Sequence, residues 1–478
     1  MRRTAIVIVA ALLAALACAP TAPAASRLVI KGHGFGHGIG LSQYGAMGYA
    51  QHGYTYRQIV GHYYEGTAIG SLGSNPMVRV LLQSGHRVVV SGVTRAGRRR
   101  LRARRTYVAT ASGSRVALRT SSGRRVGTYA APLRLTAPAS SPLQLHGSAT
   151  NGVQDGRYRG ALELRPAGGG VQAINALRLE TYLRGVVAAE SPAEWPAEAL
   201  KAQAVVARSY AVTTDVGSAS DGIDQYADTR SQMYRGVASE YPSTDAAIRA
   251  TTGEVVLSHG RPVTTYFFST SGGHTENVEN SFIGALPQSY LQGVVDPYDA
   301  VSPRHTWGPF TLSRATAEHK LAGLVRGRFR GITVLQRGTS PRIVRAEVDG
   351  TNGVTQVTGP QLRQRLGLYD TWATFTFMSS KVRKPRPKPK PRPKHDTADS
   401  TGGQAAVAAR RPPSVLRGRV DRARRGAHLR VQRRDGRRWR TVGRTRVRRA
   451  GRYRAALPSP GRYRIAWHGL HGPAVDVR

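Results

Sequence analysis

The sequence predicts an α+β fold: a mixed helix-and-strand domain over residues 26–378, followed by a small all-β C-terminal module over residues 415–478. Three observations carry this expectation. Residues 196–212 read as one long alanine-rich helix, residues 77–165 alternate short β-prone runs with Gly and Ser turns, and residues 415–478 repeat strand-like pieces beyond a proline-rich stretch. At 478 residues the chain is long enough to bury a sizeable core.

Met1-Arg2-Arg3, the apolar stretch from Ala5 to Ala17 and the small residues Ala22-Pro23-Ala24 read as a secretory signal over 1–25 rather than a membrane span. The expected location is therefore secreted, outside the cytoplasm. Cys18, the only cysteine, falls inside this segment, so the exported part should contain neither disulfides nor thiols. Residues 15–18 weakly resemble a lipoprotein signal, but Ala15 stands where leucine is usual, which makes lipid anchoring the minor alternative. The net charge of +44, from 71 Lys and Arg against 27 acids, implies anionic surroundings. Export removes nucleic acid as the natural partner and leaves anionic wall polymers and other envelope anions.

Along the chain, residues 32–40 place glycine at every other position around His33 and His37 and lead into Ser42, Gln43 and Tyr44. Dense glycine permits positive φ and close backbone approach to a ligand. The spacing matches no nucleotide-binding fingerprint, and two histidines without a third ligand are weak grounds for a metal. The runs 78–82, 87–90, 117–118 and 162–164 read as short strands. Arg98, Arg99, Arg100, Arg102, Arg104 and Arg105 crowd what reads as a solvated hairpin. Residues 263–269 read as a buried strand delivering the loop at Ser271, with Tyr266 and Phe268 as core. From Lys384 to Lys394 proline alternates with Lys or Arg, so residues 379–414 should form a stiff, self-repelling polyproline linker. Beyond it, the pieces 429–431, 439–442, 451–453 and 461–465 fit a small basic β-sandwich or barrel.

The stretch from residue 184 to residue 212 organises the rest. Proline at position 196 suits a helix start, and Glu198 complements the helix dipole in the first turn. Gln203, Ala207 and Tyr210 share one helix face at three- and four-residue spacing. Just upstream, Glu190 ends an apolar run and precedes Ser191-Pro192, which does not continue a helix. A carboxyl there is a candidate for desolvation, which raises its pKa towards that of a general acid; the plainer reading is a cap or an ion pair, which fits Glu194 and Glu198 well.

These residues resemble the SpoIID/LytB family of peptidoglycan proteins, the stage II sporulation protein D type. The resemblance rests on residues 175–190 and 195–210. It continues through Asp228 to Gly236, Ala250 to Val256, Tyr266 to Thr275 and Gly359 to Leu368, and covers most of residues 28–378. It implies a lytic transglycosylase that cleaves glycan strands between muramic acid and glucosamine residues and leaves an anhydro-muramic end, with Glu190 as the catalytic acid/base. It also implies Gln203, Arg208, Tyr210, Gln232, Ser271, His37, Ser42, Gln43 and Tyr44 as substrate-groove residues. Part of the family is described as non-catalytic amidase enhancers, which gives the alternative reading. Some relatives place His-Cys between the Asp-Thr and Gln of the 228–232 segment as zinc ligands; Arg230 and Ser231 stand here, so no zinc and no cofactor is expected. The glycine loop, late in the family pattern, comes first in this chain, as a circular permutation would place it if residues 372–378 end near residues 27–30.

Overall fold

A computed structural model describes residues 25–217, 221–383 and 414–477. The expected signal segment, with Cys18, lies outside the described residues except for its last position. Most of the expected linker, 384–413, lies outside them as well.

The helix Ala197–Thr213 begins at the expected proline, with Pro196 as its extended N-cap and Glu198 in its first turn. It is buried on nearly every side. Ala204, Ala207 and Ala211 join one hydrophobic core, whereas Ala202, Val205 and Val206 join another. The helical period places these two sets on different faces, and their small side chains let neighbouring elements close in on both.

The first core lies between two antiparallel sheets. One runs side by side through Met77–Gly85, Gly170–Arg178, Ala161–Ala167 and Leu133–Thr136; the other through Arg125–Ala130, Arg115–Thr120, Tyr107–Ser112 and Arg87–Ser91. Arg115–Thr120 shows why: Val116, Leu118 and Thr120 are buried while the residues between them face outward, the two-residue period of a half-buried strand. Val80, Val88, Val90, Leu118, Leu135 and Leu162 meet in this core. The expected strand runs at 78–82, 87–90, 117–118 and 162–164 all fall within these elements. The described residues thus mix helix and strand as an α+β fold should.

Gly170–Arg178 hands the chain to two short helices, Leu179–Arg184 and Val187–Glu190. The second stops because Pro192 forces its predecessor into extended backbone, and Ser191 has φ −131° and ψ 131°. Glu190 is therefore held at the last residue of a helical turn, one tight bend before the buried helix.

The N-terminal strand Ala25–His33 lies between Thr306–Ser313 and Ala373–Arg383. Leu28 is the register partner of Phe377, and Ile30 that of Phe375. Residues 27–30 and 372–378 are thus adjacent, the arrangement that the permuted motif order calls for.

Two expectations change. Residues 263–269 do not form a continuous strand: only Phe267–Phe268 pairs, in parallel, with Leu41–Ser42. The Tyr266 carbonyl instead accepts from Leu41 N–H and the Tyr64 hydroxyl, so the segment is spent on fixing the glycine loop. Residues 379–383, expected to open the linker, instead belong to the strand Ala373–Arg383. Ser380 is buried there and its hydroxyl shares a hydrogen bond of 2.7 Å with that of Tyr453.

Residues 415–477 contribute the strands Val415–Val420, His428–Asp435, Arg438–Arg446, Arg452–Ala456, Gly461–Trp467, Leu470–His471 and Val475–Val477. They are not held at a distance by a spacer. Val415–Val420 pairs directly with Ala373–Arg383, with Val415 opposite Arg383. Val29 and Met378 from the first part of the chain share a core with Leu416, Leu429 and Ile465.

Candidate functional site

An open groove of about 1180 Å³ runs past the C-terminal half of the buried helix. Its lining includes Glu190, Gln43, His37 and Tyr210, an aromatic wall of Phe35, Tyr266, Phe267, Phe268 and Phe282, and the cations Arg230, Arg235 and Arg363. Glycine-loop residues and the residues around Glu190, far apart in sequence, thus form one surface.

Burial pushes the Glu190 carboxyl up to about 7; the Met233 N–H, the Gln43 amide and the Arg235 charge oppose the shift without cancelling it. Met233 N–H donates to Glu190 Oε1 at 2.6 Å. Gln43 Nε2 donates to the Glu190 backbone carbonyl at 3.1 Å, which ties the glycine-loop side of the groove to the end of the Val187–Glu190 turn. A carboxyl with a pKa near 7 is divided between acid and base at neutral pH, as a group that must donate and then accept a proton requires. Asp215 is the other carboxylate in the lining, and it is exposed. Arg235 is the charged group whose field opposes the rise at Glu190.

The remaining expected groove residues divide into those that line the groove and those that support it. Tyr210 lines it, and burial raises its phenol to about 12, so it stays a neutral donor. His37 also lines it, but both ring nitrogens are engaged: Nε2 donates to the Phe267 carbonyl and Nδ1 accepts from Ile39 N–H, each at 3.0 Å. Burial lowers its pKa to about 3 and keeps the ring neutral. Neither nitrogen is left for a ligand.

Arg208, Gln203, Gln232, Ser271, Ser42 and Tyr44 do not line the groove. Arg208 is fully buried; its Nε and Nη2 each bond a Glu180 carboxylate oxygen at 2.8 Å. A guanidinium on a helix buried from all sides must find a partner inside the protein, and it does so away from the groove. Gln232 is also fully buried, accepting from the Tyr182 hydroxyl at 3.0 Å and donating to the Ala207 carbonyl at 3.2 Å. It pins its loop to the helix and so carries the neighbouring Met233 N–H to Glu190. Gln203 accepts from Gln43 and Ser191, each at 3.4 Å, beneath the carboxyl-bearing turn.

Ser42 and Ser271 meet at one buried carboxylate. Asp299 Oδ1 accepts the Ser42 hydroxyl at 3.0 Å and Ser271 N–H at 2.8 Å, while its Oδ2 accepts Gly272 N–H and faces His305 Nδ1, each at 2.9 Å. Ser42 is also the N-cap of the helix Gln43–Gln51, accepting from Gly45 N–H. This network locks the glycine loop to the loop at residues 271–273. Tyr44 packs edge-on against Trp195 with ring centroids 5.0 Å apart.

Arg230 pairs with its own neighbour Asp228, at 2.9 and 2.8 Å, and Ser231 Oγ accepts Tyr226 N–H. Among the described residues no group of three or more His, Cys, Asp or Glu is placed to hold a metal ion. Nor is any described helix long and apolar enough to cross a membrane.

Sequence reasoning missed Met233, Arg235 and Arg363. Met233 acts through its backbone, which carries no side-chain signal. Arg363 sat in a quoted motif, and its place in the helix Gly359–Leu366 gave no hint that a distant part of the chain would bring it to the groove.

The SpoIID family model, described as stage II sporulation protein, matches residues 167–257, the segment that holds Glu190, the buried helix and the loop of Met233. The chain is 30% identical over 211 residues to stage II sporulation protein D of Bacillus amyloliquefaciens, covering 41% of this chain and 59% of that protein. It is 33% identical over 144 residues to the amidase enhancer of Bacillus subtilis, covering 30% and 19%. Over 149 residues it is 37% identical to an uncharacterized protein of Brachyspira hyodysenteriae, covering 31% and 39%. The chain therefore spans less than two-thirds of the length of each of these relatives. No solved structure matches it. The matched segment, residues 167–257, is a SpoIID domain, and the similarity of these relatives supports the SpoIID/LytB family for that part of the chain.

Proposed function

We propose that this protein acts on the cell wall as an exported lytic transglycosylase of peptidoglycan glycan strands, with Glu190 as its single acid/base. The observation that carries this reading is a desolvated carboxyl with a pKa of about 7 in a long, aromatic-walled groove. Protonated Glu190 donates to the glycosidic oxygen between muramic acid and glucosamine, and that bond breaks. The carboxylate so formed takes the proton of the muramic acid C6 hydroxyl as its oxygen bonds to C1, closing the anhydro ring and restoring the acid. No water is consumed. A hydrolase would need a second carboxylate at a set separation to activate water or trap the sugar, and the other carboxylate of the lining, Asp215, is exposed to solvent, which does not favour that. Tyr210 and the aromatic wall supply donors and ring faces for a glycan, and the basic C-terminal region would hold the enzyme near anionic wall polymers.

The second reading, a non-catalytic wall protein that enhances an amidase, is favoured by the name of the Bacillus subtilis relative. Purified glycan strands, with and without stem peptides, separate the two. Wild-type protein should release products ending in anhydro-muramic acid, Glu190→Gln should release none, and Glu194→Gln, in the exposed turn just before the helix, should match wild type. Release by Glu190→Gln would remove Glu190 from the chemistry, and no release by wild type on either substrate would favour the enhancer.

A further inference from the structure

The basic surplus is concentrated on one face. In the C-terminal sheet the strands lie in the order Arg438–Arg446, His428–Asp435, Gly461–Trp467 and Leu470–His471. Across these four strands Arg444, Arg430, Ala466 and His471 are successive register partners, and directly opposed residues project from the same face. Arg464, two residues before Ala466, shares that face. Its guanidinium lies 4.2 Å from the ring centroid of Trp439, and its Nε donates to Gln432 Oε1 at 2.8 Å. Arg27 of the N-terminal strand reaches the same corner and donates to the His471 carbonyl at 3.4 Å. Ala466, at the middle of this row, is buried beneath its neighbours.

Like charges placed directly opposite one another destabilise a sheet, and among the described residues no carboxylate offsets these. Asp421, Asp435 and Asp476 pair with Arg419, Arg440 and Arg462. Among the described residues, Arg27, Arg430, Arg444 and Arg464 have no carboxylate partner within ion-pair distance. The crowding is felt by His471, whose pKa is lowered by burial and then by Arg464, Arg430 and Arg27.

We propose that Arg27, Arg430, Arg444 and Arg464 form a binding face for the phosphodiester groups of a linear anionic polymer, built jointly by the N-terminal strand and the C-terminal sheet. Guanidinium groups present paired donors that match phosphate oxygens and stay charged at any working pH. Four adjacent strands span roughly 14 Å at the usual inter-strand spacing, room for more than one phosphate, which favours a chain over a free ion. A membrane surface fits less well: Val442 is the one exposed large apolar side chain in this region among the described residues, and interfacial binding needs a wider apolar face. The site lies away from the groove, so it stands whether or not the glycan-cleavage reading does.

Long-chain polyphosphate, inorganic phosphate and phosphatidylglycerol vesicles, titrated against the full chain across a salt series, test it. Arg430→Gln/Arg464→Gln is compared with Arg98→Gln/Arg104→Gln, which removes the same charge from an exposed region elsewhere. The first pair should weaken polyphosphate binding roughly tenfold and flatten its salt dependence, and the second should change it less than about twofold. Circular dichroism reports whether the variants fold. Should Arg430→Gln/Arg464→Gln fail to do so, Arg430→Lys/Arg464→Lys serves instead, keeping the charge but losing the paired donors and binding several-fold less tightly. Equal losses from the two Gln pairs, or unchanged binding by the Lys pair in that case, would reduce the effect to overall charge and overturn the proposal. So would inorganic phosphate binding as tightly per phosphate as the polymer, or a cluster-dependent loss seen only with vesicles.

Discussion

At Glu190 two effects oppose each other, and the larger sets its protonation state. Burial raises the carboxyl from its ordinary 4.5 to about 7 despite a 2.6 Å hydrogen bond from Met233. In the proposed reaction donation needs the protonated form, so anhydro-product release should fall as pH rises above about 7, and a pH profile of that release checks this. A stability consequence has the same origin. Between pH 4.5 and about 7 the folded protein keeps a proton that the unfolded chain releases, so stability contributed by this group declines as pH rises through that window and stays low above it. Glu190→Gln removes the penalty. It should be more stable than wild type at pH 8 by on the order of 1–3 kcal/mol, with little difference near pH 4, as measured by urea denaturation at both values. Equal stability at pH 8 would mean that the carboxyl is not desolvated. Arg208 is the contrasting residue. Its bidentate pair with Glu180 is structural, so Arg208→Met should cost about 3 kcal/mol by leaving a largely buried carboxylate unpaired, with cleavage per folded molecule unchanged. The sequence placed Glu190 by its apolar run and the following proline. It could not separate Arg208 from the groove, although a helix with alanine on every face was itself a sign of burial all round.

Among the elements, the helix Gln43–Gln51 positions the groove's second wall, and its glycines are not interchangeable with those of its neighbour. A Cβ on Gly45 would overlap the Tyr63 hydroxyl and the Asp296 carboxylate. Asp296 is fully buried, and burial followed by the nearby Asp299 raises it to about 7. Gly45→Ala should therefore cost about 1–3 kcal/mol by overpacking and disturb Gln43 two residues away. Gly61, in the helix Tyr56–Tyr63, has open space at its Cβ position, and Gly61→Ala should stabilise by about 0.5–1 kcal/mol. Melting temperatures of the two variants should move in opposite directions; a shared direction would contradict the packing at Gly45. Alternating glycine announced close approach somewhere in residues 32–40. Which partners approach was not legible, because Phe268 against Gly36 and Arg342 against Gly38 arrive from more than two hundred residues away. The short strands were readable from local alternation, but residues 263–269 were not, since only Phe267–Phe268 pairs, with the two-residue strand Leu41–Ser42, and the Tyr266 carbonyl is taken by Leu41 and Tyr64.

For the whole molecule, the composition break after residue 383 suggested two bodies joined by a spacer, and that expectation fails on register. The chain leaves the strand at Arg383 and returns at Val415, its direct partner, so the C-terminal strands extend a sheet begun by the N-terminus. Local composition carries no information about where the two ends of such a stretch meet. Removing residues 414–478 should therefore do more than delete a charged appendage. It strips the partner strand from Ala373–Arg383 and uncovers Val29 and Met378, which are 3% and 1% exposed, at about 1.5–3 kcal/mol for each fully buried side chain of this size. The new edge is also open to pairing with other chains. The truncated protein should melt several degrees lower and aggregate, and a peptide spanning 414–478 added in trans should restore part of the lost stability. A truncated chain with unchanged melting temperature and monomeric sedimentation would show that the pairing contributes nothing to the rest of the fold and that the tail is a tether after all.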